Sequence, residues 1–91
     1  MLLMGYSIEF DKSAFKYLQK LDKSTRTRIV HSLQILSESP FNSELDIKRM
    51  QGTIDEFRLR IGSYRIVYSL ENDKLLIYVI KIGSHGDVYK S

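Results

Sequence analysis

The chain of 91 residues contains no cysteine, no tryptophan and a single proline. Because cysteine is absent, disulfide bonds, zinc–thiolate sites and thiol nucleophiles are all excluded. The two histidines, His31 and His85, are far apart in the sequence and do not form a metal-binding motif. We therefore expect neither a metal ion nor another cofactor, and we expect packing alone to stabilise the fold.

Long apolar segments are absent as well. No stretch of the sequence approaches the roughly 20 apolar residues that a membrane-spanning helix needs. Residues 1–4 are mostly apolar, but they lack the basic leader and the long apolar stretch of a signal peptide. We expect a cytoplasmic protein without a membrane partner. The length predicts one domain over residues 1–91.

The first forty residues predict a strand and two helices. Residues 6–10 alternate between polar and apolar side chains, as a half-buried strand does. Asp11 occupies an N-cap position before a helix over about residues 12–21. A break over residues 22–24 precedes a second helix, which must end before Pro40 because the residue before a proline avoids helical angles. So short a connection predicts a helical hairpin.

From residue 57 onward the pattern changes to that of antiparallel strands. Residues 57–61 alternate, Gly62-Ser63 supplies a two-residue turn, and residues 64–70 continue as a second strand. Residues 75–82 are apolar almost throughout, which predicts a central strand covered on both faces. This strand is expected to pair with the N-terminal strand as well as with its predecessor.

The segment between the two halves is harder to interpret. Residues 41–46 form a polar connector, and residues 47–53 are compatible with either a short strand or an irregular segment. The predicted fold class is α+β. It consists of an N-terminal strand, a helical hairpin and a three-stranded antiparallel meander, which together form one twisted sheet with the helices packed on one face.

The hairpin turn determines which side chains share a face of the sheet. With Gly62-Ser63 as the turn, Arg60 lies directly opposite Arg65. One face then carries the apolar side chains, and the other gathers Arg58, Arg60 and Arg65. Like charges opposite each other destabilise an antiparallel pair. This arrangement favours a bound anion, and guanidinium groups match phosphate oxygens in two-point geometry. The alternative is a solvated outer face on which the arginines only splay into water.

Between residues 6 and 89, the sequence resembles the RelE/ParE superfamily of bacterial and archaeal toxins, and the RelE branch most closely. The most specific part is residues 57–68, which follow the family's aromatic-basic-apolar-basic, turn, Tyr-Arg-aliphatic-aliphatic-Tyr pattern. Residues 36–40, Ile82-Gly83 and Asp87-Val88-Tyr89 also match. The resemblance implies a toxin that cuts mRNA in the ribosomal A site without a metal and so inhibits translation. It also implies a RelB-like antitoxin that neutralises the toxin.

The resemblance implies roles for particular residues. Arg58 and Arg60 match the two basic strand positions, Arg65 matches the arginine of the hairpin, and Tyr89 matches a tyrosine that stacks on or orients the RNA. Where the family commonly has His-Arg after Ile-Gly, this chain has Ser84-His85-Gly86, so we predict His85 as the general acid. The predicted catalytic set is Arg58, Arg60, Arg65, His85 and Tyr89, and the predicted RNA-binding set is Lys48, Arg49, Arg58, Arg60, Arg65 and Lys90.

The sequence leaves two questions open. The general base is unassigned: Glu56 lies beside the basic strand, but it could equally be a salt-bridge partner. Two other function classes remain, namely a ParE-like inhibitor of DNA gyrase and an RNA-binding module without catalysis. The expected partners are the antitoxin, the ribosome and mRNA, and operator DNA for the toxin–antitoxin complex.

Overall fold

The computed structural model describes residues 5–84. In chain order the elements are β1 (Ser7–Phe10), α1 (Lys12–Lys20), α2 (Lys23–Glu38), β2 (Asp46–Arg49), β3 (Glu56–Ile61), β4 (Tyr64–Glu71), a 3-10 turn (Asn72–Lys74) and β5 (Leu76–Ser84). The strands form one five-stranded sheet in the order β1-β5-β4-β3-β2. β1 runs parallel to β5, and the other neighbouring strands are antiparallel. The predicted α+β class is confirmed.

The two helices begin at aspartate caps, as the sequence predicts for the first of them. The Asp11 carboxylate accepts hydrogen bonds from the Ser13 backbone N–H at 3.0 Å and from the Ser13 hydroxyl at 2.6 Å. Asp22 accepts from the Thr25 backbone N–H at 3.1 Å and from the Thr25 hydroxyl at 2.7 Å. These hydrogen bonds lower the pKa of both carboxyl groups. Neither helix is long and apolar enough to cross a membrane.

Both helices pack on one face of the sheet, which we call the inner face. The fully buried side chains of this core come from α2 and from the three central strands: Ile29, Leu33, Leu36, Leu59, Ile66, Tyr68, Ile77 and Val79. Ala14 and Leu18 of α1 belong to the same cluster. Because side chains alternate along a strand, every second residue of β3 and β4 must point away from this core.

β2 adds a strand that the sequence leaves ambiguous. It pairs antiparallel with β3, so the predicted three-stranded meander is in fact four-stranded and the sheet has five strands rather than four. Asp46, which the sequence assigns to the polar connector, is the first residue of this strand. The sequence signal is weak because β2 contains one apolar residue, Ile47, which is half-buried at the edge of the sheet.

β5 is mostly apolar, but the reason is not the coverage of both its faces that the sequence predicts. Val67 of β4 pairs with Lys81, whereas the next residue, Tyr68, pairs with Val79, so β5 carries one extra residue, Ile80. This bulge reverses the alternation, and Val79 before it and Ile82 after it both face the core. β5 is central, as predicted, and pairs with β1. Its outward side chains are half-buried rather than covered.

Candidate nucleic-acid interface

The predicted register of the β3–β4 hairpin is confirmed. Ile61 pairs with Tyr64, and Arg60 pairs with Arg65. Gly62 at the turn has φ of +57°, in the left-handed region that glycine enters most easily. Leu59 and its partner Ile66 are fully buried against the helices. The two opposed arginines therefore lie on the other face of the sheet, which we call the outer face.

The neighbouring strands extend this arrangement into two rows across the outer face. In the first row, Asp46 of β2 pairs with Arg60, and Gly83 of β5 pairs with Arg65. The second row contains Lys48 of β2, Arg58 of β3, Val67 of β4 and Lys81 of β5. Five cations from four strands thus share one end of the outer face. We call them the basic face: Lys48, Arg58, Arg60, Arg65 and Lys81.

Arg65 differs from its neighbours because it is buried. Only 5% of its surface is exposed, whereas Arg60 is exposed and Arg58 is half-buried. A guanidinium nitrogen of Arg65 donates to the Tyr64 carbonyl oxygen at 3.5 Å. Burial lowers the pKa of Arg65, the charges of Arg60 and Arg58 lower it further, and the charge of Asp46 opposes them. The sequence pattern does not distinguish the three arginines, but in the structure Arg65 is buried and held in place, whereas Arg58 and Arg60 are more exposed.

Not every predicted RNA-binding residue belongs to the basic face. Lys48 does, but Arg49, the next residue of β2, points to the inner side of the sheet because side chains alternate. Arg49 pairs with Phe57, and its guanidinium carbon lies 5.9 Å from the centre of the Phe57 ring. Arg49 therefore lies on the opposite face of the sheet from the basic face. His85, Tyr89 and Lys90 lie outside the described residues.

The structure also separates Glu56 from the first row of the basic face. Glu56 pairs with Ser69, one row beyond Arg58 and two rows beyond Arg60. Asp46, which the sequence places in a connector, is the carboxylate opposite Arg60. Asp46 and Lys81 are thus the two residues of this site that sequence reasoning missed. The alternation of Asp46, Ile47 and Lys48 is the signal that could have found the first, while the bulge in β5 conceals the second.

The arrangement can bind a chain of phosphates at a single surface. Guanidinium groups offer paired N–H donors to phosphate oxygens, and ammonium groups of lysine add charge without directional demands. The buried Arg65 has little freedom to lose on binding, since its environment already holds it. A single-stranded nucleic acid that crosses four strands would contact cations from each of them.

The family model described as the ParE toxin of type II toxin–antitoxin systems matches residues 8–89. The chain belongs to the RelE/ParE toxin superfamily. It is 30% identical over 90 residues to the mRNA interferase toxin RelE of Escherichia coli, with 94% of this chain and 92% of that protein covered. The superfamily predicted from the hairpin and tail motifs is confirmed.

Solved structures of superfamily members have the same fold. The archaeal RelE–RelB complex from Pyrococcus horikoshii matches with a TM-score of 0.80 and 30% identity, covering 91% of this chain and 98% of that one. The intact RelBE toxin–antitoxin complex of E. coli matches with a TM-score of 0.75 and 28% identity, covering 87% and 95% of the two chains. The chain is a RelE-like toxin of a toxin–antitoxin system.

Proposed function

We propose that this toxin is an endoribonuclease that cuts mRNA in the ribosomal A site, without a metal ion, and so inhibits translation. The observation that carries the proposal is the basic face, where Arg60 lies opposite Arg65 and three further cations join them. The name of the E. coli relative, an mRNA interferase, supports the same class of reaction. A basic surface that suits phosphates and a relative that is an mRNA interferase thus favour the same activity.

The chemistry that fits this site is attack by the RNA's own 2′-hydroxyl. A bond forms between the 2′-oxygen and the neighbouring phosphorus, and the bond from phosphorus to the 5′-oxygen breaks. The products are a 2′,3′-cyclic phosphate and a 5′-hydroxyl. Negative charge develops on the phosphate oxygens in the transition state, and fixed donors stabilise it most. We assign this role to Arg65 and Arg60, because Arg65 is held by burial and Arg60 lies directly opposite it.

Asp46 is our candidate for the general base, in place of Glu56. A base must lie within hydrogen-bond reach of the proton that it removes. Asp46 shares a row with both arginines, and its charge acts on Arg65, whereas Glu56 is two rows away from Arg60. The proton of the 2′-hydroxyl would pass to Asp46 and then to water. Arginine itself is a poor base because it stays protonated at neutral pH.

The proton for the departing 5′-oxygen is assigned to His85 on sequence grounds. Histidine has an ordinary pKa of about 6.5 and can donate a proton near neutral pH. His85 follows Gly83, the residue that pairs with Arg65, by two positions. Tyr89 is proposed to stack on or orient the RNA, and Lys90 to contact its backbone. These three assignments rest on the resemblance to the RelE branch.

The proposed macromolecular partners are a cognate antitoxin, the ribosome and its mRNA. Two solved relatives are described as complexes of RelE with RelB, which supports a RelB-like antitoxin for this chain. Binding of the toxin–antitoxin complex to operator DNA is part of the same proposal. Co-expression of the toxin with the adjacent reading frame should yield a stable complex and abolish toxicity.

A translation assay in vitro with mapping of mRNA ends tests the activity. The parent protein should cut at A-site codons and leave cyclic phosphate ends. Arg60→Ala should lose about 10²–10³-fold in cleavage, as expected when one donor to the transition state is removed. Arg49→Ala is the matched control, because it removes the same side chain from the opposite face of the sheet. Intact mRNA with the parent protein, or equal losses in both variants, would exclude the proposal.

A second candidate is inhibition of DNA gyrase without catalysis. The matching family model is named for the ParE toxin, and the sequence also leaves this possibility open. Gyrase inhibition would appear as loss of supercoiling while mRNA stays intact. Binding of RNA without cleavage in the same assays would instead indicate a non-catalytic RNA-binding module.

A further inference from the structure

The outer face of the sheet changes sign from one end to the other. Beyond the second row of the basic face, the next row contains Glu56 of β3, Ser69 of β4, Tyr78 of β5 and Glu9 of β1. We call these four residues the acidic row. A carboxylate stands at each end of the row, and no cation belongs to it. Arg58 and Glu56 are two residues apart on β3, which places the two rows about 7 Å apart.

A third carboxylate strengthens the negative charge of this row. The Tyr78 hydroxyl donates to Asp11 Oδ1 at 3.2 Å. Burial raises the pKa of Tyr78, and the hydrogen bond to Asp11 and the charges of Asp11 and Glu9 raise it further. Asp11 is also the N-cap of α1. The end of the outer face that is formed by β1 and the middle of β5 is therefore negative at neutral pH.

We infer that the acidic row is a boundary that confines the RNA backbone to the basic face and weakens the toxin's hold on RNA away from the ribosome. The inference rests on the proposed function. At about 0.1 M salt, charges act over roughly 10 Å, so a phosphate that extends past Arg58 toward Glu56 meets repulsion. The basic face alone would bind any single-stranded RNA through its phosphates. With the boundary in place, only a short stretch of backbone can be held.

Binding of a single-stranded RNA to the purified toxin tests this inference. The probe is a fluorescent 2′-O-methyl oligonucleotide, which cannot be cut because the attacking hydroxyl is blocked. Glu56→Gln should tighten binding about two- to threefold at low salt, the effect expected for removing one charge about 7 Å away. Glu9→Gln in addition should tighten it further. The gain should shrink as salt is raised, because the repulsion is screened.

The matched control is Glu38→Gln, at the end of α2. It changes the net charge by the same amount and leaves the outer face intact. Thermal unfolding of each variant verifies the fold. A gain for Glu56→Gln without a gain for Glu38→Gln supports the boundary. If both variants bind RNA equally more tightly, net charge explains the effect and the boundary is wrong. If neither variant binds RNA more tightly than the parent, the boundary is also wrong.

A further variant separates failure of the boundary from failure of the proposed function. Arg60→Ala should weaken binding of the same probe if RNA occupies the basic face. When Arg60→Ala binds less and Glu56→Gln binds like the parent, the boundary is wrong and the RNA site stands. When Arg60→Ala binds RNA like the parent, the basic face does not hold RNA, and the proposed function and the boundary are both wrong.

Discussion

The two faces of the sheet differ in how the paired side chains of neighbouring strands interact. On the inner face, neighbours support each other: Leu59 meets Ile66, and both pack against the helices in a fully buried cluster. On the outer face, the next cross-strand pair of the hairpin is Arg60 with Arg65, and their like charges repel each other. Burial of apolar surface explains the first arrangement, whereas the opposed arginines of the second add repulsion to the folded chain. Asp46 offsets part of this repulsion, and a bound anion such as a phosphate would offset more of it.

The largest effect should follow from a change on the outer face that spares the fold. Asp46→Asn keeps the size of the side chain but cannot accept the 2′-hydroxyl proton. Single-turnover cleavage on the ribosome should fall by roughly 10²–10⁴-fold, the range for loss of a general base. Asp46 is exposed, so thermal stability should stay close to that of the parent. Cleavage at the parent rate would show that another group removes the proton.

A change on the inner face should have the reverse outcome. Leu59→Ala should lower the free energy of unfolding by about 2–5 kcal/mol, because Leu59 is fully buried and the cavity cannot close. Urea unfolding measures this loss. Ile54→Ala is the control: Ile54 is 83% exposed, and its removal should change stability by less than about 0.5 kcal/mol. Similar results for the two variants would contradict the observed register.

Arg65 combines features of both faces, because it lies on the outer face and is nevertheless buried. Arg65→Lys keeps the charge but replaces the planar fork with a single ammonium group. Cleavage should fall about tenfold to a hundredfold, since two-point contact with phosphate is lost. The same exchange at the control position, Arg49→Lys, should leave the rate unchanged. A fully active Arg65→Lys variant would mean that charge alone suffices.

The smallest expected effect is on the pH dependence of stability. It comes from Asp22, which lies on neither face of the sheet. The pKa of Asp22 is lowered from its ordinary value of 3.8 by hydrogen bonds from Thr25. Its contribution to stability is therefore complete above about pH 4 and is lost as the pH falls through the lowered value. Asp22→Asn should flatten this acidic decline in urea midpoints without altering cleavage at neutral pH. An unchanged decline would assign it to other carboxyl groups.

The hairpin could be predicted because its signals are local. A two-residue turn between alternating runs determines the register, so the placement of Arg60 against Arg65 follows from the sequence. The aspartate cap at residue 11 is equally local. The fold class follows from the order of the elements, and the superfamily follows from the motif at residues 57–68.

What could not be predicted depends on contacts between distant segments. β2 is recognisable as a strand through its pairing with β3, since its four residues carry little pattern of their own. The bulge at Ile80 reverses the alternation, and so it hides the outward position of Lys81. The burial of Arg65 likewise has no sequence signal, because an arginine in an alternating strand is expected to be exposed.

The pairing of β1 with β5 has a consequence for how the toxin comes into being. Ser7 pairs with Leu76, so β1, the first strand of the described chain, can pair only after β5, the last one, has been synthesised. β5 lies between β1 and β4, and a ribosome makes it only after the other four strands. Contacts between such distant segments form slowly, because a long loop must close before they are gained. A nascent chain therefore cannot complete the basic face until β5 has been synthesised and has paired with β4, because β5 carries Lys81.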